Sequence, residues 1–103
     1  MLSVTIHRDS GRASVVVRGE IDVLYVDSLA SELAAAADSD APQVEVDLSG
    51  VTFIDSTGIN ALVKGRRLAT ASGKQYRVVG SDGFVRDVLK LSGVWDHLTG
   101  LAP

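Results

Sequence analysis

What most restricts this chain is a change of apolar spacing that happens three times. Leu2, Val4 and Ile6 stand two residues apart, and "ASVVVRG" (13–19) continues with Val15, Val16 and Val17. From Val26 the spacing becomes helical, through Leu29, Leu33 and Ala36. "QVEVDL" (43–48) returns to alternation through Val44, Val46 and Leu48. A helical run from about Thr57 to Ala71 follows, with Ile59, Leu62, Val63 and Ala69 inward. "QYRVVG" (75–80) alternates again, and "SDGFVRDVLKL" (81–91) turns Phe84, Val88 and Leu91 inward as a third helix. A period of two marks the face of a strand, and a period of three to four marks the face of a helix.

The order is therefore β-β-α-β-α-β-α. The Ser10–Gly11 turn makes the first two strands an antiparallel hairpin. The continuous valines of the second strand point to burial on both faces. Each later strand is reached through a helix, which implies parallel crossovers. "DSDAP" (38–42) stops the first helix, Gly73 stops the second, and Ser81 or Asp82 caps the third. The expected class is α/β. The sheet is mixed and mostly parallel, with four or five strands and about three helices packed against it. The fifth strand would be a short one near Leu98.

A length of 103 residues predicts one domain, spanning 1–103. The absence of cysteine excludes a disulfide framework and a thiolate metal site. His7 and His97 lie far apart and belong to no ligand-spaced motif, so neither metal nor cofactor is expected. A net charge of −3 argues against a nucleic-acid partner, which calls for a basic patch. No apolar run approaches the ~20 residues of a membrane span. "MLSVTIHRDSG" lacks the basic start and apolar core of a signal peptide. A soluble cytoplasmic protein without membrane contact is the expectation.

In an alternating α/β chain, functional groups gather beyond the carboxyl ends of the strands. Two segments occupy such places, "GEID" (19–22) after the second strand and "SGVTFIDSTG" (49–58) after the third. Both strands run parallel, so Asp22 and Ser56 share one end of the sheet. Either Asp55 or Ser56 suits the N-cap of the second helix. Gly58 is harder to place, because glycine in a helical turn costs about 0.5–1 kcal/mol against alanine. Close approach by a partner's active centre would justify it, and so would a tight backbone contact. Asp22 either caps the first helix or faces a partner. Asp47 reads as a loop-orienting carboxylate. A receiver domain would need an acidic pair after the first strand and a late lysine, and only Asp9 answers.

Enzymatic readings fare poorly. There is no G-x-S-x-G elbow, and neither histidine is placed to serve Ser56 as a base. "SGKQ" (72–75) has the lysine of a phosphate loop without the loop. Glu20 and Asp22 read as solvated loop acids. A binding module is expected, not an enzyme.

The chain resembles the STAS-domain anti-sigma factor antagonists of bacteria. "VVVRGEIDV" (15–23) is similar to that family's strand and G-E-[IL]-D loop. "VEVDLSGVTFIDSTGINALV" (44–63) resembles its signature, with the D-S-[ST]-G core intact. "VLKLSGVWDHL" (88–98) is similar to its L-x-x-x-S-G-[LV] segment. Thr57 stands where the family often has serine, and Asn60 where it often has glycine. The resemblance implies a STAS fold. It also implies that a partner anti-sigma factor, itself a serine kinase, phosphorylates Ser56, with Thr57 as second choice. Asp22 then lies at the partner-binding surface with Asp55, Ser56, Thr57, Gly58, Asn60 and Lys64. Arg67 continues the outer face of that helix. The unmodified protein would bind the anti-sigma factor and free a sigma factor, and a serine phosphatase would reset it. A monomer or weak dimer is expected. Two further readings compete: a STAS subunit of a transport or stress-signalling assembly, and a small-molecule or nucleotide module using the helix start near Ser56 as an anion site.

Overall fold

The computed structural model describes residues 1–100. The elements run β1 (Leu2–Asp9), β2 (Arg12–Ile21), α1 (Val26–Ala37), β3 (Gln43–Ile54), α2 (Ser56–Ala71), β4 (Gln75–Val79), α3 (Gly83–Leu91) and α4 (Trp95–Thr99). The strands form one four-stranded sheet in the order β1-β2-β3-β4. The first pair is antiparallel and the other two pairs are parallel. The expected mixed α/β sheet with its N-terminal hairpin is thus the observed one. The hairpin closes between Asp9 and Arg12, with φ of 50° at Ser10 and 82° at Gly11. Two successive left-handed residues match the twist of the flanking strands, which is why serine and glycine stand there.

Register puts all the buried strand residues on one face. Val15 lies beside Val46, which lies beside Val78, and Ala13–Val44–Tyr76 forms the next row. All six are buried. Leu29, Leu33 and Ala36 of α1 and Leu62 and Ala69 of α2 join them in a single apolar core. The opposite face carries Ser3, Thr5, His7, Ser14 and Val16, exposed or half-buried. Burial on both faces of β2, expected from the valine run, is therefore incorrect. Val16 points to the polar side, and its β-branch suits a pleated strand there without a second layer.

Helix α2 corrects two more expectations. Ile59 and Val63 are half-buried, while Gly58 and Gly65 are buried. A Cβ at Gly65 would stand 3.0 Å from Leu33 Cδ1 and 3.0 Å from Tyr76 Oη. The two glycines let α2 sit close to its neighbours; Leu62 stays in the core, and Ile59 and Val63 turn to the flanks. Tyr76 Oη donates to Leu62 O at 2.8 Å, and burial pushes its phenol far above the ordinary range, so it stays a neutral donor. Gly73, at φ 76°, ends the helix as expected.

In α3 the register differs by one position. Val85 and Leu89 are buried, whereas Phe84 and Leu91 are exposed. Asp82 is the cap, its side chain accepting from Gly83 N at 2.8 Å. The strand expected near Leu98 is instead α4, with Leu98 fully buried. Lys90 Nζ over the Trp95 ring, 5.0 Å from its centroid, ties α4 to α3. Among the described residues no helix is long and apolar enough to cross a membrane.

Candidate functional site

The segments read from sequence as loops are largely paired strand. β3 continues through Ser49–Ile54, and β2 continues through Gly19 to Ile21. Their ladder runs Arg18–Gly50, Gly19–Val51, Glu20–Phe53 and Ile21–Ile54, with two register shifts. Such irregularities break strict alternation, so Val51 and Ile54 fall inward three residues apart. Asp47, expected to orient a loop, lies inside β3 instead; its Oδ1 accepts from Ser49 N at 2.8 Å where the register with β2 shifts.

The last rungs decide the site. Ile21 pairs with Ile54, and Asp55 N donates to Ile21 O at 3.3 Å. Asp22 and Asp55 therefore leave the sheet side by side. Asp22 Oδ1 accepts from Leu24 N at 3.0 Å, and Asp22 O accepts from Tyr25 N and Val26 N. This aspartate shapes its own turn and does not cap α1, whose N-cap is Tyr25. The turn leaves Val23 and Leu24 exposed beside the site.

Asp55 is the cap of α2. Its Oδ1 accepts from Thr57 N at 3.0 Å, Gly58 N at 3.2 Å and Thr57 Oγ1 at 2.5 Å. These donors hold its carboxyl below the ordinary 3.8, the Thr57 hydroxyl above all, against partial burial that raises it. The two hydroxyls thus differ. Thr57 is half-buried and spends its hydroxyl on Asp55, whereas Ser56 is exposed.

Gly58 is set apart from the other candidates. It is buried, and a Cβ there would stand 2.6 Å from Ile21 Cγ2 and 2.8 Å from Ile54 Cγ1. Its lack of a side chain lets the first turn of α2 lie on the two isoleucines that end the strands. The tight contact explains it, and it offers no side of its own to a partner.

Ser56, Asn60, Lys64 and Arg67 recur every three or four residues, and apart from Ser56 at the start all lie inside α2 on one exposed face. Lys64 is eight residues from Ser56, about 12 Å along the axis. Two features escaped sequence reading. One is the apolar turn Val23–Leu24. The other is Phe53, stacked on Phe84 with centroids 5.7 Å apart and rings 12° from parallel. No sequence signal pairs the two rings, since helical spacing turns Phe84 inward. No group of three or more His, Cys, Asp or Glu among the described residues could hold a metal ion.

With this geometry in view, comparisons with known proteins give a consistent result. The family model STAS_2, described as Mlab, STAS domain, matches residues 4–100. No curated protein matches the chain. Among solved structures, an anti-sigma factor antagonist from Mycobacterium paratuberculosis is similar at 24% identity and TM-score 0.85, covering 96% of this chain and 83% of that one. The Bacillus cell fate determinant SpoIIAA in its phosphorylated form is similar at 15% identity and TM-score 0.73, over 94% and 88%. The murine anion transporter Slc26a9 is similar at 22% identity and TM-score 0.74, over 87% of this chain and 15% of the transporter. At these identities the likeness is one of fold.

Proposed function

The chain belongs to the STAS domain family, and we propose that it acts there as an anti-sigma factor antagonist switched by phosphorylation of Ser56. Unmodified, it binds an anti-sigma factor that is also a serine kinase, and so releases a sigma factor. Phosphate on Ser56 ends that binding, and a serine phosphatase restores it. The role is binding, with the chemistry supplied by the partners. The reading rests above all on the difference between the hydroxyls: Ser56 is exposed at the start of α2, while Thr57 is held by Asp55. In this reading Asp22, Asp55, Asn60 and Lys64 complete the partner-binding surface, and Gly58 acts by seating the helix.

Phosphorylation adds about −1.5 to −2 charges and three acceptor oxygens. A helix start favours an anion by roughly 0.3–1 kcal/mol. Asp55 already takes the amides of Thr57 and Gly58, so the phosphate meets an occupied cap and a like charge. Both effects on the fold are small and opposed. The partner surface, shaped for a neutral hydroxyl, bears the larger cost. The occupied cap also weighs against a nucleotide site at this helix start.

Incubation with the cognate kinase and ATP, followed by mass-spectrometric site mapping, tests the reading. Label on Ser56 is expected; label on Thr57 alone, or none, contradicts it. Ser56→Ala should bind the anti-sigma factor without being modified, and Ser56→Asp should bind weakly. A second reading, a STAS subunit of a transport assembly, is favoured by the likeness to a domain within the murine anion transporter. Capture of transporter subunits in place of an anti-sigma factor would select it.

A further inference from the structure

At the amino ends of β2, β3 and β4 lies a cavity of about 520 Å³, at the opposite end of the sheet from Ser56. Its lining includes Arg12, Arg66, Lys74 and Arg77 against one carboxylate, Glu45. The protein as a whole carries −3, so this gathering of cations is not a by-product of a basic surface.

Among the described residues, the hydrogen bonds leave most of that charge uncompensated. Glu45 Oε2 is shared by Arg12 Nη1 at 3.3 Å and Arg77 Nη2 at 3.0 Å. Lys74 Nζ donates to the neutral carbonyls of Ser39 and Ala41. Arg66 Nη1 meets His97 Nε2 at 3.0 Å, again without a carboxylate. Arg12 Nε is buried with no acceptor among the described residues. A concave wall of one sign focuses the field and concentrates counter-ions. Guanidinium forks match the oxygens of phosphate better than any other side chain does. The volume falls in the range of small-molecule sites and exceeds what one inorganic anion fills. Gln43 Nε2 donates to Gln75 Oε1 at 3.1 Å, and each amide keeps further hydrogen-bonding capacity in the lining.

We propose that this cavity binds a small polyphosphorylated molecule, its phosphate groups held by Arg66 and Arg77. The site is independent of the Ser56 reading and stands or falls without it.

The test is titration of ¹⁵N-labelled protein with inorganic pyrophosphate, ATP and sulfate, following amide shifts and, by calorimetry, affinity. Saturable shifts are expected at residues 43–45 and 74–77, with both phosphate compounds at least about tenfold tighter than sulfate. ATP tighter than pyrophosphate would mark a nucleotide, and equal affinities would mark the phosphoanhydride as the recognised group. Arg66→Gln and Arg77→Gln should each weaken binding about tenfold, as expected for loss of a charge-assisted pair. Absence of saturable shifts, shifts confined to residues 55–58, sulfate binding equally well, or full affinity in both variants would overturn the proposal. The wild-type shift map decides alone should a variant fail to fold.

Discussion

Asp55 concentrates three hydrogen bonds on one carboxylate oxygen. Replacing it with alanine frees two amides of the first turn and should cost about 0.5–2 kcal/mol, read by denaturant unfolding. The same bonds set a pH dependence. The folded carboxyl ionises below its ordinary 3.8, chiefly through the Thr57 hydroxyl. Its contribution is therefore present above the unfolded value and is lost as pH falls through the folded value. Wild-type stability should decline on acidification below about pH 4, and Asp55→Asn should flatten that part of the profile. A profile unchanged by the substitution would show that Asp55 is not the group involved. Gly58 makes the opposite demand. Alanine favours helix by up to about 1 kcal/mol, yet its Cβ would press into Ile21 and Ile54 at 2.6 and 2.8 Å. Overpacking should win, and Gly58→Ala should lower stability by about 1–3 kcal/mol in the same assay. A stabilised variant would contradict the packing reading. The contact of Gly58 with Ile21 was not legible in "FIDSTGIN", because it depends on where β2 ends.

The elements that were easiest to read carry clean periods. β1, the first half of β3, and α1 each show one apolar spacing, and each lies where that spacing puts it. The errors have local causes. Register shifts at Val16–Arg18 and Gly19–Glu20 disturb the two-residue alternation, so the second half of β3 reads as loop. In α3, Phe84, Val88 and Leu91 form the expected helical face; Val88 does pack half-buried against the core, but the buried residues are Val85 and Leu89, and Phe84 stacks on Phe53. α4 has five residues, too few to show a helical period. The register of α3 can be checked by a pair of substitutions. Leu89→Ala should cost about 2–5 kcal/mol, as for a buried leucine. Leu91→Ala, at a position 88% exposed, should stay within about 0.5 kcal/mol of wild type. Reversed costs would restore the face expected from sequence.

Across the whole molecule, parallel β2, β3 and β4 separate two ends of different character. The carboxyl end gathers Asp22, Asp55 and Ser56, and the amino end gathers the arginines around Glu45. The first grouping was legible because strand direction and three family-like motifs place it. The second was not, since Arg12, Arg66 and Arg77 are scattered in sequence and meet only through the crossovers. Helix α2 runs between the ends, rooted on Ile21 and Ile54 by Gly58 and against Leu33 by Gly65. A frame held by this core should tolerate a charge at the exposed start of one helix. Phosphate on Ser56 is expected to change stability by no more than about 1 kcal/mol, a shift of several degrees at most for a domain of this size. The partner interface should lose about 2.8 kcal/mol or more, which is about 100-fold in affinity. The most direct measurement takes the protein unmodified and phosphorylated at Ser56, and determines for both the affinity for the anti-sigma factor and the melting temperature. The Ser56 switch requires at least about a 100-fold loss of affinity with melting nearly unchanged; equal affinities, or a loss that appears only because the domain unfolds, would contradict it.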